Sequence, residues 1–221
     1  MDYRSCDSSP CHHAQKKSLI ASERDLWTRT RFAVEQQQRV ADALVIIDEF
    51  GSNLDVTRRS ARAPRGERAV AAVPRTTPAN LTTISSLTTQ GIGPSLMREA
   101  GVTSAVFEAY VAHILGPSLG HGQSVVLDNL SAHKGPRLRE LVAERGCSVW
   151  YLPSYSPDFS PIELAFATIK AELERIGARN REALEAAIAQ AVSLISPQQA
   201  RAFFTHCGFR LAPDLAQWFC S

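Results

Sequence analysis

The sequence lacks an apolar run long enough to cross a bilayer. Its longest mostly apolar stretch, Leu184 to Ile195, contains Glu185 and Gln190 and is shorter than the roughly 18 to 20 residues of a membrane-spanning helix. The N-terminus is polar and has no apolar segment of the kind found in secretory leaders. We therefore expect no contact with a membrane and a cytoplasmic location.

Cysteine is scarce and irregularly placed. The five cysteines form an odd, scattered set that predicts free thiols in a chain without a leader: Cys6, Cys11, Cys147, Cys207 and Cys220. Together with His12 and His13, the first two could hold a metal. No second cluster completes a four-ligand set at zinc-finger spacing, so we predict no zinc site here.

Neither sign of charge dominates. Among 221 residues, 44% are hydrophobic and 21% are charged, and the formal net charge is +2. These values are typical of a folded globular chain with one main domain, and they exclude disordered, collagenous and coiled-coil classes. The net charge alone does not indicate a nucleic-acid partner.

The positive charge is nevertheless concentrated. Between Thr57 and Arg75 the chain has six arginines and one acid, Glu67, a local net charge of +5 that leaves −3 for the rest. We place this cluster in a predicted hairpin whose second part includes 81–89. It suits contacts with DNA phosphates, and a solvated basic turn is an equally good interpretation.

The pattern of apolar residues predicts a mixed α/β fold with crossover connections. Helical composition covers 23–43, and a helix starting after Thr103 should stop at Gly116-Pro117. The remaining predicted elements are strands at 44–48, 81–89, 124–128 and 148–152, helices at 136–145 and 161–176, and a helical C-terminal third.

Two of the buried strands are predicted to end in an acid, at Asp48 and at Asp128. Carboxylates at the carboxyl ends of neighbouring strands can converge at the edge where open α/β sheets bind ligands. A simpler interpretation is that each aspartate closes a turn.

A third acid, Glu163, opens a predicted helix. Ser160, Pro161 and Glu163 have the spacing of a capping box, so the Glu163 carboxylate may be used only to cap the helix. Glu163 also borders the apolar face of that helix, from which it can reach the strand ends.

These segments resemble the DDE transposases of bacterial insertion sequences, in the branch related to mariner elements. The resemblance is carried by IIDE around Asp48, DNLSAHK from Asp128 and YLPSYSPDFSPIE ending at Glu163, and it extends from about Lys16 to about Phe209. The 34 residues between Asp128 and Glu163 match the spacing that names the branch.

The resemblance implies a ribonuclease-H-like mixed sheet flanked by helices, with Asp48, Asp128 and Glu163 as catalytic residues that hold two Mg²⁺ or Mn²⁺ ions. It implies cleavage of double-stranded DNA at the transposon ends and strand transfer to target DNA, with a dimer on the DNA. When bound to DNA, the protein would be associated with the nucleoid.

Further residues are candidates for DNA contacts. These are Arg58, Arg59, Arg62, Arg65, Arg68, Asn129, His133, Lys134 and Lys170. Asn129 can orient a metal-bound water or close a turn, and His133 can contact DNA or simply pack. For both lysines the alternative is a solvated surface position.

Two residues depart from the family pattern: Phe50 replaces a small hydroxyl residue, and Ser160 replaces the common Asn. We expect 1–22 to be a polar tail or the remnant of a linker to a missing helix-turn-helix region, 23–210 to be the catalytic domain and 211–221 to be a C-terminal tail. An upstream frame encoding the helix-turn-helix region is one expected partner.

Two rival functions follow from the sequence. Gly116-Pro-Ser-Leu-Gly120 matches the G-x-S-x-G elbow of acyl hydrolases, but the predicted order of elements around it is wrong for that elbow. The second rival is a truncated, catalytically inactive transposase remnant that folds and binds DNA.

Overall fold

The structure, a computed structural model, describes residues 21–58, 60–70, 72, 81–129 and 134–213. The Cys6, Cys11, His12 and His13 cluster, Arg59, His133 and Cys220 lie outside these residues. Within the described part, no helix is long and apolar enough to cross a membrane.

Five strands form one mixed sheet in the order β3-β2-β1-β4-β5. Their bounds are β1 Leu44–Ser52, β2 Leu81–Thr88, β3 Gly91–Glu99, β4 Ser124–Leu127 and β5 Ser148–Tyr151. The first three strands are antiparallel, whereas β4 and β5 run parallel to β1. This sheet agrees with the predicted mixed α/β class.

Six α-helices surround the sheet: α1 Leu26–Gln37, α2 Ser104–Tyr110, α3 Pro136–Ala143, α4 Pro161–Ile176, α5 Arg181–Ser193 and α6 Pro197–His206. After α2 the chain continues through a wider π turn, Val111–Leu115, and a 3-10 turn, Gly116–Ser118. Short 3-10 turns also precede β1, at Ala41–Ala43, and α4, at Pro157–Phe159.

Alternation along the central strands divides the core between the two faces of the sheet. Leu44 and Ile46 of β1 and Val126 of β4 belong to a core cluster with α4, α5 and α6. Val45 and Ile47 face the opposite cluster, which includes residues of α2 and α3. The sheet is therefore covered by helices on both sides, which explains the continuous apolar runs of β1 and β4.

The predicted helix at 23–43 is wrong at both ends. Asp25 caps α1 by accepting hydrogen bonds from the N–H groups of Trp27 and Thr28. The helix ends at Gln37 because the chain must leave it to form a parallel bridge between Val40 and Arg210 and then to enter β1.

The placement of the arginine cluster in a hairpin is also wrong. The hairpin consists of β2 and β3, which are joined at Thr89 and Gln90. The described arginines precede it, in the connection from β1 to β2, where 60–70 contains no helix or strand and is exposed throughout. Proline and glycine at 64 and 66 favour such an irregular path.

The acyl-hydrolase interpretation is excluded by the structure. Gly116-Pro-Ser forms a 3-10 turn after a helix, and the next strand begins only at Ser124, whereas the elbow needs a strand before its serine. A Cβ on Gly116 would lie 2.8 Å from the Val111 carbonyl oxygen, so this glycine is required by the close packing of the helix end.

Candidate active site

Asp48 lies in the middle of the central strand. The prediction that it ends its strand is wrong, because β1 continues to Ser52 through antiparallel pairing with β2. The paired residues Ile46 and Val126 share a level of the parallel ladder. Two residues further along each strand are Asp48 and Asp128, on the face that packs against α4.

The environment of Asp48 favours its protonated form. Burial is the largest cause that raises the pKa of Asp48 to about 7, and the nearby charges of Glu163 and Asp128 add to the rise. The backbone N–H of Glu49, which donates to Asp48 Oδ1 at 2.8 Å, acts in the opposite direction. The influence of both other acids on this pKa indicates that the three carboxylates lie close together.

Asp128 and Asn129 follow directly after β4, where the chain leaves the sheet. The Asn129 side-chain amide donates a hydrogen bond of 2.8 Å to the Ser154 hydroxyl. This bond connects the turn after Asp128 to the loop between β5 and α4. Of the two roles considered for Asn129, the structure therefore favours shaping of the turn.

Glu163 lies in the first turn of α4, and the predicted capping box does not form. Ser160 is the N-cap residue, but its side chain makes no capping hydrogen bond. Its backbone N–H instead donates to the Pro157 carbonyl oxygen at 2.9 Å. The Glu163 carboxylate is consequently not used as a cap, and its side chain is exposed at the mouth of a cleft.

The three acids border this one cleft, whose volume is about 370 Å³. Asn129 and Ser160 also line it, together with 152–157 from the loop that joins β5 to α4. Ser154 and Tyr155 are lining residues that the sequence interpretation did not single out, although both lie inside the YLPSYSPDFSPIE segment from which only Glu163 was chosen.

The loop before α4 is held in place from α1. Arg24 and Arg29 form ion pairs of 2.5 and 2.6 Å with Asp158, and the Arg29 guanidinium lies 4.4 Å from the centre of the Phe159 ring. Since Asp158 and Phe159 are in the 3-10 turn just before α4, these contacts orient the start of the helix that carries Glu163.

Phe50, one of the departures from the family pattern, connects β1 to α4. Its ring lies 4.7 Å from that of Phe166, measured between centroids, and both side chains are buried. Because Asp48 is two residues before Phe50 and Glu163 three before Phe166, this aromatic contact sets the separation of the two acids.

The donor set of the cleft fits a hard divalent cation. Carboxylate oxygens are the ligands that Mg²⁺ and Mn²⁺ prefer, and a buried carboxyl with a pKa of about 7 gains from a cation beside it. Among the described residues, no three His, Cys, Asp or Glu side chains are already gathered into a closed metal cage. Any ion would therefore draw the three side chains inward.

The predicted DNA-contact residues are dispersed over the surface. Arg58, Arg62, Arg65 and Arg68 are exposed, as are Lys134, which precedes α3, and Lys170, two turns after Glu163 on α4. Of the DNA-contact candidates that the structure describes, Asn129 is the one that lines the cleft.

Arg58 has a definite neighbour. The pKa of Glu172 on α4 is lowered first by the hydrogen bond from Arg175, and the charge of Arg58 contributes to the lowering. Arg179 donates to the carbonyl oxygens of Leu54 and Val56. The start of the arginine cluster is thus fixed beside the far end of α4 and not in the cleft.

Comparisons with known proteins place this arrangement in a family. The family model for the DDE superfamily endonucleases matches residues 43–185, more than half of the chain. The match includes Asp48, Asp128 and Glu163. No curated protein has a sequence that matches this chain significantly.

Solved structures share the fold. The Mos1 mariner paired-end complex with Mn has a TM-score of 0.68 at 13% identity, over 90% of this chain and 65% of that chain. The Mos1 strand transfer complex has a TM-score of 0.66 at 12% identity, over 90% and 62%. The Mos1 transposase catalytic domain with raltegravir and Mg has a TM-score of 0.54 at 12% identity, over 81% and 88%.

The chain therefore spans a little under two thirds of the length of the Mos1 chains in those two DNA complexes. These likenesses confirm the predicted ribonuclease-H-like fold, a mixed sheet flanked by helices. The chain belongs to the DDE superfamily endonucleases, with the fold of the mariner transposase catalytic domain.

Proposed function

We propose that this chain is the catalytic domain of a transposase from a bacterial insertion sequence. The observation that carries the proposal is that carboxylates from β1, from the end of β4 and from α4 border one cleft. We assign the domain to 23–210, with 1–22 as a tail or linker remnant. In the C-terminal tail, 211–221, the Ala212 N–H donates to Asp42.

Asp48, Asp128 and Glu163 are the proposed catalytic residues and would hold two divalent ions. When bound, Mg²⁺ or Mn²⁺ neutralises negative charge on the attacking and leaving oxygens of a phosphodiester. Asp48 must give up its proton to become a ligand, and a pKa of about 7 makes this loss inexpensive at neutral or slightly alkaline pH.

The proposed reaction needs no nucleophilic side chain. Water attacks a phosphorus at the end of the element, a bond from that phosphorus to a 3′ oxygen breaks, and a 3′ hydroxyl is released. That hydroxyl then attacks a phosphodiester of target DNA in line and displaces its 3′ oxygen. The protein's contribution is to orient the strands and to stabilise the charge that develops.

Double-stranded DNA is the proposed partner, both as transposon ends and as target. The Mos1 entries that share the fold are a paired-end complex and a strand transfer complex, which supports a dimer on DNA for this chain as well. A helix-turn-helix region from an upstream frame is a further proposed partner, and reading the DNA upstream of the start codon tests for it.

Strand transfer is the activity that tests the proposal. The purified chain, a duplex with a pre-processed transposon end, Mn²⁺ and a target plasmid should yield joined products, and Asp128→Asn should abolish them. Products that persist with Asp128→Asn would refute the catalytic assignment. If neither protein yields products while both bind the duplex, the alternative of an inactive remnant is correct.

A further inference from the structure

Tyr155 has a conformation that its residue type does not favour. Its φ is +54°, in the left-handed region, where glycine or asparagine is more easily accommodated and other residues are under strain of about 1 kcal/mol or more. Ala100 is the other non-glycine residue with a positive φ in the described part of the chain. A tyrosine at this position costs stability and calls for a reason.

Packing does not supply that reason. Tyr155 is 59% exposed, and among the described residues it makes no ring contact of the kind formed by Phe50 and Phe166. A large aromatic ring in solvent contributes little to folding, and it is a surface suited to binding.

The loop around Tyr155 presents the ring in a fixed place. Ser154 is bonded to Asn129, the Ser156 hydroxyl donates to the Ser154 carbonyl oxygen at 3.1 Å, and Pro153 and Pro157 restrict the chain on both sides. The ring is thus held at the cleft that the three carboxylates border, and little conformational entropy remains to be lost on binding.

The chemistry of the cleft favours a nucleobase as the occupant. Carboxylates repel a phosphate backbone unless cations intervene, whereas an aromatic face attracts a base without any charge. Bases in an intact duplex are stacked on each other, so a ring at the cleft can engage only a base that has left the stack. A ring that receives this base offsets the cost of unstacking.

We propose that Tyr155 stacks on an unpaired base next to the phosphodiester that is cut, and thereby positions the DNA end. This inference rests on the proposed function, because it takes DNA as the substrate of the cleft. Tyr155 is a positioning residue in this scheme, and the carboxylates remain the metal ligands.

Photo-crosslinking tests the contact directly. Duplexes carrying 5-iodouracil either at the terminal pairs or in the middle are mixed with the full chain and Ca²⁺, irradiated and analysed by mass spectrometry. We expect terminal 5-iodouracil to crosslink to Tyr155, and the central position to crosslink much less. Binding of the same duplexes is measured separately by fluorescence anisotropy.

Three variants separate stacking from folding. Tyr155→Phe should retain the affinity, and Tyr155→Asn should bind about tenfold more weakly, which is the effect expected for the loss of one stacked base. Leu194→Ala, at an exposed apolar position after α5, should bind normally. Because asparagine tolerates a positive φ, Tyr155→Asn should unfold at the same temperature as the unmodified chain or higher.

The outcomes distinguish the two proposals. If the folded chain binds the duplexes but Tyr155 does not crosslink and Tyr155→Asn binds equally well, the stacking inference is wrong and the proposed function stands. If no form of the chain binds any duplex, the proposed function fails and the stacking inference fails with it.

Discussion

The Asn129 amide and the Ser154 hydroxyl, 25 residues apart in the chain, are joined by a hydrogen bond of 2.8 Å. It is a direct connection between the turn that carries Asp128 and the loop that leads to Glu163. Two of the three acids of the cleft are therefore coupled through neutral side chains that need not bind a metal themselves.

A double-mutant cycle should detect this coupling. Asn129→Ala and Ser154→Ala should each lower Mn²⁺ affinity and the rate of strand transfer, and the double variant should be no worse than the weaker single variant. The expected coupling in the free energy of unfolding is about 0.5 to 1 kcal/mol, which is typical of a partly exposed hydrogen bond. Strictly additive effects in denaturation and in Mn²⁺ titration would show that the bond is unimportant.

Phe50 should be important for both stability and activity. Truncation by Phe50→Ala removes a buried ring that packs on Phe166 and should lower the free energy of unfolding by about 3 kcal/mol. Phe50→Leu should cost much less. Urea denaturation measures both, and strand transfer should fall with Phe50→Ala even at temperatures where it is folded, because α4 loses its anchor on β1. Unchanged activity in folded Phe50→Ala would contradict this role.

The raised pKa of Asp48 predicts a pH dependence of stability without metal. The pKa is about 7 in the folded chain and about 4 when unfolded, so between these values the folded state holds a proton that the unfolded state has lost. The free energy of unfolding should therefore fall as the pH rises from about 4 through about 7.

Asp48→Asn should remove that contribution. At about pH 8, in chelator, it should raise the free energy of unfolding by roughly 2 kcal/mol, whereas Asp55→Asn at an exposed position should have no comparable effect. Mn²⁺ should stabilise the unmodified chain more at about pH 8 than at about pH 6. Parallel pH profiles for the unmodified chain and for Asp48→Asn would contradict the raised pKa.

Asp158 should stabilise the loop before α4 through its pairs with Arg24 and Arg29. Partial burial opposes ionisation, but the hydrogen bond from Arg29 and the charges of Arg29 and Arg24 hold the pKa of Asp158 below its usual value. Asp158→Ala should lower the free energy of unfolding by roughly 1 kcal/mol, and it should slow strand transfer by misplacing the loop that precedes Glu163.

A matched control is available in an exposed pair on α3. Glu140→Ala removes an ion pair with Arg137 in which both side chains are more than half exposed, and it should change stability little. If Asp158→Ala and Glu140→Ala had equally small effects on stability and on strand transfer, the connection from α1 would be dispensable.

Local signals account for the elements that the sequence predicted well. The bounds predicted for α4, 161–176, agree with the structure, because Pro161 and Gly177 mark its two ends within the chain itself. Thr103 was likewise recognisable as the N-cap of α2. The runs of β-branched residues at β1 and β4 indicated buried strands without further information.

Long-range pairing explains what the sequence could not predict. β1 extends beyond Asp48 only because β2, some thirty residues later, pairs with its second half. The pairs of Asp158 with Arg24 and Arg29 span 134 and 129 residues. The site residues were predicted from a resemblance, and the supporting contacts of Ser154 and Asp158 required the fold.

The most direct test of the central claim compares four single substitutions in Mn²⁺-dependent strand transfer with a pre-processed end. Asp48→Asn, Asp128→Asn and Glu163→Gln should each abolish joined products, because three carboxylates act together as ligands of the same ions. Glu174→Gln, an exposed acid on α4, should leave the yield unchanged. Normal yield from any one of the three cleft variants would contradict the account.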